Sequence, residues 1–188
     1  MERVRSFVAI LLSEEVRAAV AAEIARLRPL APRVSWISPP NLHLTLKFLG
    51  EVPSEALEQA KEGLAEAVAG AAPFGLHFGG LGAFPGMARP RVLWVGIDEG
   101  GQAAQALQAR VDAALTRRGF AREERPYSPH LTIGRVREPR GLARLQQAMV
   151  QDARTDFGRL EVGRLSLMRS DLSPAGTRYT ELAAFPLV

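Results

Sequence analysis

Two short segments of this 188-residue chain share one pattern, His43-Leu44-Thr45-Leu46 and His130-Leu131-Thr132-Ile133. In an extended strand, residues two apart face the same way. Each segment therefore offers an imidazole and a hydroxyl on one side and two aliphatic side chains on the other. Imidazole exchanges protons near neutral pH because its unperturbed pKa is about 6.5. A pair of imidazoles suits hydrolysis of a phosphodiester, cyclic or linear. One neutral ring takes a proton from attacking water, and a protonated ring on the opposite side gives one to the leaving oxygen. The Thr45 and Thr132 hydroxyls are then expected to hydrogen-bond the non-bridging oxygens, with a nearby arginine adding charge. One His-x-Thr on a strand says little, but two at equivalent places point to a shared site. The third histidine, His77 in Leu76-His77-Phe78, is expected to be structural. No metal site and no cofactor is expected, because two histidines lacking a third carboxylate or imidazole make an incomplete ligand set.

The elements that must position these segments read as a plan followed twice. Residues 7–12 form an apolar run with the character of a buried strand, and Ser13-Glu14-Glu15 supplies a helix N-cap with an acidic first turn. Val16, Val20, Ile24 and Leu27 recur at helical spacing before Pro29 and Pro32. The first motif lies in a strand over 42–48, Pro53-Ser54-Glu55 opens a helix with Leu57, Ala60, Leu64 and Val68 inward, and 74–78 is extended. The same order returns with a strand over 92–97 and a helical face of Leu107, Val111 and Leu115. The second motif follows in 129–136, then a helix holding Leu142, Leu145 and Met149, then an extended run over 157–168. His43 and His130 lie 87 residues apart, and Phe74-Gly75-Leu76 precedes Phe157-Gly158-Arg159-Leu160 by 83.

These spacings predict one α+β domain over 1–188, bilobal and built from a duplicated unit (about 5–85 and 90–171) with pseudo-two-fold symmetry. Strands should line a central cleft with helices outside, and a C-terminal hairpin over 164–185 should close the chain around Leu172-Ser173-Pro174-Ala175-Gly176. The glycine- and proline-rich stretch 79–91 is expected to be a long irregular connection. It is not a P-loop, since it lacks the Gly-Lys-Ser/Thr ending.

Composition narrows the chemistry. Cysteine is absent, which removes disulfides, thiolate nucleophiles and sulfur-based zinc sites. Lys47 and Lys61 are the only lysines, so 22 of the 24 basic residues are arginine. Guanidinium forks match phosphate oxygens, but a GC-rich genome also writes arginine for lysine, so this composition alone does not establish an anionic partner. A single asparagine, Asn41, with 13 prolines and no cysteine, predicts a heat-stable protein. The apolar run at 7–12 is too short for a signal-peptide core or a membrane span, so no membrane association and a cytoplasmic location are expected.

The chain resembles the two-histidine phosphoesterase superfamily, in particular its bacterial and archaeal RNA 2',3'-cyclic phosphodiesterases, also known as 2'-5' RNA ligases. The resemblance is carried by Phe7-Val8-Ala9-Ile10, by Asn41-Leu42-His43-Leu44-Thr45-Leu46-Lys47-Phe48-Leu49-Gly50-Glu51, by Arg125-Pro126-Tyr127-Ser128-Pro129-His130-Leu131-Thr132-Ile133-Gly134-Arg135 and by the turn over 172–179. It implies a bilobal fold with a central cleft and opening of a terminal 2',3'-cyclic phosphate to a 2'-phosphate. It further implies that His43 gives the proton to the leaving 3'-oxygen, that His130 takes one from water, and that Thr45 and Thr132 hold the phosphate. Arg125 and Tyr127 become candidate substrate contacts. The alternatives for them are a solvated charge and a core aromatic. Trp36 is a candidate for stacking a terminal base, with core packing as its alternative. The implied partner is RNA with 2',3'-cyclic phosphate ends, tRNA fragments being one source, and a monomer is expected. Two other readings are open: 2'-5' ligation by the reverse reaction, and an RNA-end-binding module without useful turnover.

Overall fold

Ser13 closes the first strand and starts the first helix, its hydroxyl accepting a hydrogen bond from the Val16 N–H at 3.3 Å. In the computed structural model, which describes residues 2–188, that strand is β1 (Arg3–Leu11) and that helix α1 (Glu14–Leu27). The chain continues through β2 (Val34–Trp36), β3 (His43–Pro53), α2 (Ala56–Val68), β4 (Phe74–Phe84), β5 (Val92–Glu99), α3 (Gly101–Thr116), β6 (Leu131–Val136) and α4 (Ala143–Gln151). It ends with β7 (Asp156–Val162), β8 (Arg164–Ser173) and β9 (Gly176–Pro186). Most residues expected at helical spacing are buried: Val16, Val20, Ile24 and Leu27 on α1, Ala60, Leu64 and Val68 on α2, and Leu107, Val111 and Leu115 on α3, while Leu57 at the start of α2 is half-buried against the core.

The strands form two antiparallel sheets, one in the order β3-β1-β8-β9 and one in the order β2-β6-β5-β4-β7. The fold is α+β and two-lobed. In the first sheet, motif strand β3 lies beside β1, and β1 beside β8 from near the chain's end. In the second, motif strand β6 lies beside β5, and β5 beside β4 from before the midpoint. Each sheet thus contains strands from both ends of the chain. The larger core lies on one face of the first sheet with Val8, Ile10, Leu44 and Leu46, while Phe7, Ala9 and Met168 form a small separate cluster on its other face.

Three local readings change. The stretch 79–91 is not a loop throughout: β4 runs to Phe84, with Leu81 and Ala83 buried, so the connection covers only 85–91. Gly82 in β4 serves close packing, because a Cβ on it would collide with the Trp94 ring laid across it. The extended run over 157–168 breaks at Gly163 into β7 and β8, which belong to different sheets. The short strand β2, read only as part of a proline-rich approach to the first motif, pairs with β6 from Val34↔Val136 to Trp36↔Gly134. Trp36 there packs against the main core and over Gly134.

Candidate active site

Both motif strands carry a β-bulge directly after their threonine. In β3 the register passes from Ala9↔Thr45 to Val8↔Lys47, leaving Leu46 without a partner. In β6 it passes from Trp94↔Thr132 to Leu93↔Gly134, leaving Ile133 without one. An extra residue reverses which face each later side chain takes. Leu44 and Leu46 are buried and Thr45 half-buried, and beyond the bulge Lys47 turns inward while Phe48 turns out. Leu131 and Ile133 are likewise buried and Thr132 half-buried, with Gly134 inward and Arg135 out. Strict alternation would have put Lys47 with Thr45 on the open face; the bulges place Phe48 and Arg135 there instead.

The imidazoles are held alike. Nδ1 of His43 donates to the Asn41 carbonyl at 2.7 Å, and Nδ1 of His130 donates to the Ser128 carbonyl at 2.7 Å. A carbonyl can only accept, so each Nδ1 carries the hydrogen and each Nε2 is the nitrogen left for proton exchange. His43 is the first residue of β3, and His130 stands just before β6. Nε2 of His43 lies 2.9 Å from the Thr45 hydroxyl, which donates to it when the ring is neutral. The His43 ring packs 4.7 Å from that of Phe7 and edge-on to Tyr179 at 5.2 Å, while His130 meets Phe84 edge-on at 4.9 Å. Desolvation among these rings lowers the His43 pKa below the usual imidazole value, partly offset by the bond to Asn41.

The two motifs are tied together. β3 and β6 touch across the two sheets, and the Tyr127 hydroxyl, three residues before His130, donates to the Thr45 carbonyl at 2.8 Å. Burial raises the pKa of this phenol, so it stays a donor. Lys47 makes the second tie. Its Nζ, on a buried side chain, donates to Asp112 Oδ1 of α3 at 2.5 Å and to the Ala121 carbonyl at 2.7 Å. Asp112 Oδ1 also accepts from the Glu123 N–H at 3.0 Å. Burial works to raise the Asp112 pKa, but the bonds from Lys47 and Glu123 outweigh it and hold it low. Residues 117–130 have no regular secondary structure, so these bonds to β3 and α3 fix the segment leading into His130.

The remaining candidates sit apart from the rings. The Arg125 guanidinium is exposed and lines a cavity of about 460 Å³ between α3 and the 122–127 segment, with Gln108, Thr116 and Arg122. His77 lies on the outer part of the second sheet, its Nδ1 2.5 Å from Asp98 and its Nε2 2.9 Å from Asp156, so it ties β4 to both neighbouring strands. The bond to Asp98 raises its pKa against desolvation, and Asp156 adds to the rise. Among the described residues, no group of three or more His, Cys, Asp or Glu side chains is arranged to hold a metal ion. Also among them, no helix is long and apolar enough to cross a membrane. Sequence reasoning missed the structural roles of Lys47, Asp112, Phe7, Tyr179 and Phe84. The one signal available was that Lys47 and Gly134 occupy matching places, an odd equivalence for two residues of an open face.

Known proteins resemble this chain in both sequence and fold. The model of the 2'-5' RNA ligase superfamily matches residues 16–174. The RNA 2',3'-cyclic phosphodiesterase of Methanothermobacter thermautotrophicus is 36% identical over 185 residues, covering 98% of this chain and 100% of that protein. The Archaeoglobus fulgidus protein of the same name is 35% identical over 181 residues, covering 96% of this chain and 99% of that one. Among solved structures, E. coli LigT complexed with 3'-AMP matches with a TM-score of 0.79 at 26% identity, over 100% of this chain and 99% of that one. TT0787 of Thermus thermophilus matches with a TM-score of 0.77 at 32% identity, over 97% of each chain. Sequence and fold agree over nearly the whole length, and the chain belongs to the 2'-5' RNA ligase superfamily.

Proposed function

We propose that this protein hydrolyses 2',3'-cyclic phosphate ends of RNA to 2'-phosphates, with His43 and His130 as the proton-transfer pair and no metal taking part. The observation that carries the reading is the matched tethering of the two rings: each Nδ1 is spent on a backbone carbonyl two residues upstream, freeing both Nε2 atoms at the starts of two strands, β3 and β6, that touch. The names of the relatives supply the substrate class. Water attacks phosphorus opposite the 3'-oxygen as His130 Nε2 takes its proton. The P–O3' bond breaks as His43 Nε2 gives a proton to the departing oxygen, leaving the phosphate on the 2'-oxygen. Thr45 and Thr132 hold the non-bridging oxygens. Thr45 is poised for this, because its hydroxyl already lies 2.9 Å from His43 Nε2.

The test is a product-resolved assay on an RNA oligomer with a 2',3'-cyclic end in excess chelator. The expected product is the 2'-phosphate, and His43→Ala or His130→Ala should lower turnover by about 10²- to 10⁴-fold. Thr45→Ala should cost less than either. Full turnover in both histidine variants would sink the assignment. Loss of all turnover in chelator, restored by a divalent ion, would sink the metal-free step. Two RNA halves at high concentration in the same assay measure the reverse, ligating direction.

A further inference from the structure

Asn41 is bonded in two directions. Its backbone carbonyl accepts from His43 Nδ1 at 2.7 Å, and its side-chain amide donates to the Thr177 carbonyl at 2.7 Å. Thr177 belongs to β9, one edge of the four-stranded sheet, while Asn41 stands two residues before β3, the other edge. The sheet therefore curls far enough for one amide to bridge its two edges, between residues 136 apart in the chain. Tyr179 lies two residues beyond Thr177, on the same side of the strand. Its ring packs edge-on to His43 at 5.2 Å and 4.9 Å from Phe7, which in turn lies 4.7 Å from His43. Amide, strand, phenol and imidazole thus close a circle of contacts around the first histidine. The second motif lacks this arrangement. Ser128 accepts from His130 Nδ1 on its carbonyl, but its side chain is exposed and makes no hydrogen bond among the described residues.

The residue type fits the bond. A carboxamide has hydrogens to give a carbonyl, whereas an ionised carboxylate of the same shape only accepts. Asparagine is heat-labile, and this chain has no other. The local backbone does not need the side chain: the Asn41 N–H donates to the Ser38 carbonyl at 2.9 Å and the Leu42 N–H to the Pro39 carbonyl at 3.2 Å, forming a single turn over Pro39–Asn41. Building on the proposed reaction, we infer that Asn41 is the positioning residue of His43: its amide clasps β9, with Tyr179, against the imidazole, so that the ring keeps one pose with Nε2 beside Thr45. A proton donor needs that pose, because a ring displaced by an ångström no longer meets the leaving oxygen. With the donor gone, Tyr179 can draw away and the ring can turn, so that the second tautomer becomes accessible.

The test uses Asn41→Ala and the isosteric Asn41→Asp, which both retain the backbone turn. On an RNA oligomer with a 2',3'-cyclic end, each should lower kcat by about 10- to 100-fold and leave KM nearly unchanged. Nitrogen-15 spectra of the imidazoles, taken where both rings are neutral, read the pose without turnover. In wild type both rings should show the Nδ1–H tautomer. In the variants His43 should move to a mixture of tautomers, while His130 stays as it was. Unchanged kcat, a fall in kcat with the His43 ring unmoved, or equal changes at both histidines overturns the clasp. A change confined to His43, in a protein whose wild type opens no cyclic phosphate, keeps the clasp and removes the proposed reaction.

Discussion

Tyr127 donates its hydroxyl to the carbonyl of Thr45 across 2.8 Å, so a residue three places before the second histidine is anchored on the backbone of the first motif. The bond joins segments 82 residues apart in the chain. Its removal should therefore affect geometry more than stability. Tyr127→Phe removes this donor from the carbonyl and is expected to cost about 1 kcal/mol of stability. The accompanying shift of His130 against Thr45 should lower kcat/KM by about 10- to 100-fold. Thermal melts and steady-state kinetics on the same preparation check both. A variant with unchanged kcat/KM would show that the anchor does not set the distance between motifs.

Lys47 and Asp112 form a buried ion pair, their side chains 3% and 15% exposed. Removing one member of such a pair strands the other charge, at a cost of about 3–5 kcal/mol. Lys47→Met should lower the unfolding free energy by about that much. Lys47→Met combined with Asp112→Leu should recover most of it, since an apolar pair avoids the desolvation penalty. Denaturant unfolding of wild type, Lys47→Met, Asp112→Leu and the double variant measures the coupling directly. Additive effects would contradict an interaction between the two.

The lowered pKa of His43 fixes the form of the pH–rate profile. As the proton donor, His43 must start protonated, so kcat/KM should fall as pH rises through a pKa below the usual 6.5 or so. The bound cyclic phosphodiester carries a negative charge that favours the imidazolium. The corresponding fall in kcat should therefore lie at higher pH than that in kcat/KM. Profiles of both constants decide the point, and a kcat limb lying below the kcat/KM limb would count against His43 as donor.

His77 should act as a pH-dependent tie. A histidine whose folded pKa is raised adds stability that is complete below its unfolded value, about 6.5, and that disappears as pH rises through the folded value. The stability advantage of wild type over His77→Gln should thus be largest in mild acid and vanish in mild alkali. Its carboxylate partners are more than half exposed, which keeps the effect modest. Melting temperatures of both proteins across pH 5 to 9, about the range in which imidazole titrates, test the sign. An advantage that grows with pH would reverse it.

The helices and the two motif strands were legible because their signals are local. Helical spacing of Val16, Val20, Ile24 and Leu27 needs only neighbours along one segment, and the His-x-Thr pattern needs only alternation. The bulges were not legible, because Leu46 and Ile133 are ordinary aliphatics whose lack of a partner depends on strands β1 and β5. Strict alternation alone would put Lys47 on the open face and Phe48 in the core, the reverse of what the bulge produces. The exchange of β4 and β8 between sheets was hidden for the same reason, since strand pairing is settled by long-range contacts rather than by the run of residues itself. Gly163 was visible as a glycine, but nothing local said that the strands on its two sides would join different sheets.

That exchange also bears on how the protein could be divided. A cut within 85–91 would give one fragment with β1 to β4 and another with β5 to β9, and neither would hold a complete sheet. Each would expose the edge that the other fragment covers, β1 lacking β8 and β5 lacking β4. Since the first fragment carries His43 and the second His130, such a pair would act as a split reporter: two inactive pieces whose reassociation rebuilds both sheets and brings the histidines back together.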